Sequence, residues 1–116
     1  MADYYLVENA TGPEWDPAKR RREQAGWDEH AAFMDGLVEE GVIVLGGPTG
    51  EGETENTLLV ADVASEDEIR SRLAADPWAD TILTIASVRP WSVWLRAEAA
   101  PGAARSRRSD ARATAS

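Results

Sequence analysis

Two short runs limit the folds open to this chain more than any other feature: Val42-Ile43-Val44-Leu45 and Leu58-Leu59-Val60-Ala61. Each is apolar at every position. Successive residues of a strand face opposite sides of a sheet, so strands of this kind need cover on both faces. The rest of the pattern supplies two further strands and two helices. Asp3–Glu8 is short and β-prone. Lys19–Glu40 carries a 3.6-residue apolar stripe and predicts one long helix, stopped by Gly41. Val42–Leu45 and Thr57–Val63 read as strands either side of a glycine-rich turn region, Gly46–Glu55. Ser65 with Glu68 has the spacing of a capping box and opens a second helix that turns Ile69 and Leu73 inward. Thr81–Val88 is the fourth strand, with Trp91–Leu95 a candidate extension past Pro90.

The order β-α-β-β-α-β predicts an α+β, ferredoxin-like sandwich, a four-stranded antiparallel sheet with two helices on one face. Two helices leave the other sheet face bare. The simplest cover is a second copy, so a homodimer through the sheet face is expected. Five tryptophans support a large buried area, since each removes roughly 150–250 Å² from water.

The 116 residues make one domain and carry a net charge of -9. The charge is uneven. From Arg96 to Ser116 five arginines face only Glu98 and Asp110, which leaves an acidic body. That body repels phosphate backbones and anionic lipid, so neither nucleic acid nor membrane is an expected partner. The absence of cysteine excludes disulfides and thiolate chemistry. With no long apolar run and no signal-peptide pattern, a cytoplasmic protein is expected. The expected domain spans residues 1–95. Residues 96–116, without a large apolar side chain, are expected to form a disordered Ala/Arg/Ser-rich tail.

His30, the single histidine, falls on the apolar stripe of the long helix with Trp27, Ala31, Met34, Leu37 and Val38. Such an imidazole is either a core residue bonded to the backbone or a placed acid/base. Asp76, in Asp76-Pro77-Trp78, is its candidate partner. Asp before Pro also suits a helix N-cap, and one carboxylate can serve both roles. Paired with Asp76, His30 would act as general base while the carboxylate fixes its tautomer and steadies the imidazolium. Nucleophilic catalysis has no serine elbow to support it. One histidine without cysteine cannot build the usual zinc sites. The glycines at 46, 47, 50 and 52 lack the ending of a phosphate loop, and Glu51, Glu53 and Glu55 would repel phosphate. No cofactor or metal is therefore expected. Gly46-Gly47-Pro48 reads as a tight bend at a cleft mouth.

Four phrases in this order, Trp27-Asp28-Glu29-His30, Gly46-Gly47-Pro48, Ala75-Asp76-Pro77-Trp78 and Val88-Arg89-Pro90-Trp91, resemble the YciI-like (YCII-related domain) family over about residues 3 to 95. The resemblance implies a dimeric α+β barrel of ferredoxin-like subunits, related to muconolactone isomerases. It also implies a histidine–aspartate pair in a cleft, carried here by His30 and Asp76. A chlorohydroquinone dehydrochlorinase is among the few members with an assigned reaction. Some members carry arginine three residues before the histidine, where this chain has Trp27, which suits a less charged, more aromatic ligand. The run Lys19-Arg20-Arg21-Arg22 either replaces that arginine or is a solvated face.

The expected site thus has His30 and Asp76 as catalytic residues, with Trp27, Met34, Gly47, Pro48, Trp78, Arg89 and Trp91 around the ligand. Trp78 and Trp91 either wall that pocket or fill the dimer core. Arg89 is an enolate partner or a surface ion pair. The leading expectation is a cofactor-free lyase or isomerase moving a proton on a small cyclic or aromatic compound. The alternative is a non-catalytic, dimeric ligand-binding or accessory protein. A third reading, cofactor-free oxygenation or cyclisation of an aromatic polyketide, rests on wider barrel relatives alone.

Overall fold

The computed structural model describes residues 2–50 and 56–97. Four strands, β1 (Tyr4–Thr11), β2 (Ile43–Pro48), β3 (Thr57–Ala61) and β4 (Leu83–Trp91), form one antiparallel sheet in the order β2-β3-β1-β4. Helix α1 (Trp27–Glu39) joins β1 to β2, and α2 (Glu66–Leu73) joins β3 to β4. This is the ferredoxin-like order that the apolar pattern predicts. Most of the expected tail, from residue 98 on, lies outside the described residues, as do residues 51–55 of the turn region.

Side-chain alternation sorts the sheet into two faces. Val7, Leu59, Ala61 and Ile43 meet Leu37 of α1 and Ile69 and Leu73 of α2 in the main core. Their neighbours Leu6, Val60 and Leu45 occupy one register row on the opposite face, where Leu45 keeps 60% of its surface exposed. The pairing of β1 with β4 slips between Glu8 and Asn9. Beyond the slip, Ile85 and Leu83 fall opposite Asn9 and Thr11. Without the extra residue that position would fall to Ala86 and Thr84, so the bulge keeps two large apolar side chains on the helix-covered side. Helix α2 starts as its sequence asks: Ser65 Oγ accepts from Glu68 N at 3.1 Å, while the Glu68 carboxylate reaches back to Ala64 N.

Several expected boundaries move, each for a physical reason. The helix over Lys19–Glu40 is shorter. Its first part is a loop with a single 3-10 turn, Arg21–Glu23, and α1 begins only after Gly26, whose φ of 79° belongs to the left-handed region. Gln24, only 3% exposed, holds that loop. Its side chain accepts from Asp16 N and donates to the carbonyls of Asp16 and Lys19, which withdraws those residues from any helix. The helix does end at Gly41, with φ 76°. Gly46-Gly47-Pro48 is no bend; it continues β2, paired with Leu59, Leu58 and Thr57. Likewise β4 runs unbroken through Pro90. Both prolines sit on edge strands, where a missing N–H breaks no ladder.

The loop after β1 is clamped to the segment before β4. Gly12 N donates to Ile82 O at 2.7 Å and Glu14 N to Thr81 O at 2.9 Å. A Cβ on Gly12 would collide with the Thr81 carbonyl oxygen. Gly12→Ala is therefore expected to cost about 1–3 kcal/mol in urea unfolding, the usual range for overpacking against rigid backbone. A cost below about 0.5 kcal/mol, the level of ordinary surface changes, would show that the clamp yields freely.

Candidate functional site

The helix-stripe spacing places His30 one turn into α1, and its residue surface is 7% exposed. Asp76 comes from the turn after α2. His30 Nδ1 lies 2.9 Å from both carboxylate oxygens of Asp76. Oδ1 also accepts Trp78 N at 2.9 Å, and Ala79 N closes the turn on Asp76 O. No helix follows this turn, so the N-cap alternative takes the form of a side-chain-closed turn. A carboxylate only accepts, so the hydrogen on Nδ1 satisfies the contact, and in the neutral ring the lone pair then lies on Nε2. Among the described residues Nε2 has no hydrogen-bond partner, yet it is not among buried unpaired atoms, so solvent reaches it.

Aromatic rings form the walls. Trp78, 1% exposed, stacks on the imidazole at 4.0 Å between centroids and 8° between planes. Its Nε1 donates to Ala25 O at 2.7 Å, in the segment that Gln24 and Gly26 shape. Trp27 packs tilted against both rings, 5.9 Å from His30 and 5.7 Å from Trp78. Trp15 joins Trp27 around a second small core of Trp78, Ile82 and Leu83. Two residues of the basic run are not simply solvated: the guanidinium of Arg21 lies 5.5 Å from the Trp15 ring centroid and that of Arg22 5.8 Å from Trp27.

The structure thus brings His30, Asp76, Trp27 and Trp78 together. It does not bring the other expected residues to them. Met34, one turn further along the stripe, packs on the main core. Gly47 and Pro48 lie on edge strand β2, with β3 and β1 between them and β4. Arg89 and Trp91 pair with Leu6 and Tyr4, at the far end of β4 from Leu83, where the Asp76 turn feeds in. Trp91 instead leans on Tyr4, 6.1 Å between ring centroids. Gln24 and Trp15 were not signalled as site residues; neither stands in a motif, and only the folded loop shows their part.

A cavity of about 230 Å³ lies on another side of Asp76, between the end of α2 and the start of β4. Asn9, Asp76, Asp80, Leu83, Thr84 and Ile85 are on its wall. His30, Trp27, Met34, Trp78 and Trp91 are not on that wall.

A ferredoxin-like α+β domain with a buried histidine–carboxylate pair where its first helix begins and its second ends is the class that fold and site define. No helix among the described residues is long and apolar enough to cross a membrane. The chain belongs to the YCII-related domain family, whose sequence profile matches residues 7–92. No curated protein sequence matches it significantly. Among solved structures it is similar to the 5-chloro-2-hydroxyhydroquinone dehydrochlorinase (TftG) from Burkholderia phenoliruptrix AC1100 in complex with 2,5-dihydroxybenzoquinone. The two share 24% identity over 78% of this chain and 95% of the other, with a TM-score of 0.52. At that identity the likeness shows a common fold.

Proposed function

We propose that the protein is a small-molecule enzyme of lyase or isomerase type, in which the His30–Asp76 pair moves a proton on a small cyclic or aromatic compound. The observation that carries this reading is the 2.9 Å contact between two nearly buried titratable groups, each with 9% of its side chain exposed. Burying a carboxylate and an imidazole costs stability unless both are bonded, and packing two tryptophans around them holds the geometry. Among the described residues each partner keeps one atom with spare capacity: Nε2 on His30, and on Asp76 the Oδ2 that bonds His30 alone. Enolisation followed by loss of a leaving group or migration of a double bond needs one such acceptor and no cofactor. The structural relative's printed activity, a dehydrochlorinase, is a reaction of that kind.

The test uses 1,3,5-trihydroxybenzene, whose ring hydrogens exchange through its keto form. The protein is expected to speed their replacement by deuterium in D₂O above the buffer blank, and His30→Ala is expected to lose that gain. Saturable binding of cyclic compounds with no exchange in any of them would favour the non-catalytic, ligand-binding alternative.

We also propose that two copies pair through the open sheet face. Leu45 is 60%, Val44 42% and Trp91 40% exposed, and Leu6, Val60 and Leu45 form one continuous apolar row on that face. Light scattering at micromolar concentration is expected to give twice the chain mass, and Leu45→Glu to halve it. A monomer in the unaltered protein would refute the pairing.

A further inference from the structure

We infer that the ligand occupies the cavity between α2 and β4, where Asp76 and not His30 touches it, and that this ligand is an uncharged single ring carrying hydroxyl donors. This rests on the reading of His30 and Asp76 as a proton-moving pair, and it assigns the contact to one of the two.

Of the pair, only Asp76 is on the cavity wall. An enclosed cavity of about 150 Å³ holds benzene, and this partly open one of about 230 Å³ has room for one substituted ring. The bulge between Glu8 and Asn9 sets Leu83 and Ile85 on the helix-covered side, where they offer the ring an apolar surface. The rest of the wall mostly accepts hydrogen bonds. It includes Asp76 and Asp80, with Leu73 and Ala74 at the C-terminal, negative end of the α2 dipole. The side chains of Asn9 and Asp80 make no hydrogen bond among the described residues, so their capacity is free for an occupant, while Thr84, opposite Ala10, turns its side chain to the other face of the sheet. Arg70 is the one cation on the wall, and Glu66 already engages it at 2.7 Å. Two carboxylates and a helix C-terminus repel an anion and favour hydroxyl donors.

Asp80 adds a separate observation. It is the single non-glycine residue with positive φ, at 60°, among the described residues. Aspartate enters this region more readily than most residues with a side chain, and here it sets the Asp80 turn beside the cavity. Glycine takes the same backbone conformation and removes the carboxylate alone.

In the step this arrangement performs, a ring hydroxyl or activated carbon gives its proton to an Asp76 oxygen. The bonding electrons stay on the ring as an enolate, and the resulting carboxylic acid returns a proton to a ring carbon. His30 keeps its Nδ1–H bonded to the carboxylate throughout. It is a positioning residue in this step.

Titration of the full-length chain with 1,3,5-trihydroxybenzene, followed by ¹H–¹⁵N NMR, is expected to give saturable shifts centred on the amides of Asn9, Ala79, Asp80 and Thr84. Asp80→Gly is expected to keep the fold and weaken the binding at least severalfold. In the exchange assay Asp76→Asn, whose Oδ1 still accepts Trp78 N, is expected to lose the activity. His30→Gln, which still offers an N–H to Asp76, is expected to retain more than His30→Ala. Shifts centred on Trp27, Ala31 and Trp78, or no saturable shift, would overturn the site. Cavity binding with His30→Gln as inactive as His30→Ala would return the contact to His30 and overturn the role given to Asp76. Cavity binding with no exchange by the unaltered protein would uphold the site and defeat the proton-moving reading alone.

Discussion

Trp78→Ala is expected to lower the free energy of unfolding by about 3–5 kcal/mol, the range for truncating a large buried aromatic side chain. Trp78 is the largest of the fully buried side chains. Three separate losses combine in that variant: the packing of the indole with Ile82 and Leu83, the hydrogen bond to Ala25 O, and the stacked cover over His30. Trp78→Phe separates them. It keeps an aromatic face for the imidazole but leaves the Ala25 carbonyl without its donor, at a cost of about 1–3 kcal/mol. Urea unfolding of the two variants checks the ordering. A loss below about 1 kcal/mol for Trp78→Ala would mean that the loop collapses into the gap, and that the indole does not hold it in place.

His30→Ala is expected to lower the rate of proton exchange by about 10²-fold or more, because it breaks the pair that holds the acid/base group in place. The variant takes away the only side chain among the described residues that bonds Asp76 Oδ2, and leaves a carboxylate facing a void under Trp78. The backbone bond from Trp78 N to Oδ1 survives, so the turn is expected to stay closed. Near-ultraviolet circular dichroism reports whether the tryptophan cluster persists, and so separates lost chemistry from lost structure. An unchanged exchange rate with the cluster intact would remove His30 from the mechanism.

Alternation and the 3.6-residue stripe made the sheet, the two helices and the inward face of α1 legible, because these patterns reflect burial directly. The segment before α1 misled for a definite reason. Lys19 to Ala25 consists mostly of good helix formers, and no local signal precedes Gly26. What overrides the preference is the buried amide of Gln24, bonded to carbonyls up to eight residues away. Pairings of that kind are tertiary and leave no period in a sequence. Pro48 and Pro90 misled in the other direction: each reads as a strand terminator unless the strand is known to be an edge. Within the site, the His30–Asp76 pairing followed from inward stripe and motif. Arg89 and Trp91 lie away from that pair within the chain, since an antiparallel β4 that starts beside Thr11 must carry its last residues to the opposite end of the sheet. The cavity rests on a one-residue slip in pairing, which no pattern in the chain announces.

The distance along the chain between His30 and Asp76 is 46 residues, and Ala25 and Trp78 are separated by 53. Closing loops of that length precedes any gain from the contacts themselves, so the site is among the costlier parts of the molecule to nucleate. A chain emerging from its amino terminus presents α1, β2 and β3 while His30 still has no carboxylate to meet. The imidazole finds its partner only when the turn after α2 arrives, immediately before the strand that completes the sheet. Formation of the pair therefore reports completion of folding. A time-resolved signal from the Trp78–His30 stack would rise with the last phase of refolding and not with the first appearance of helix.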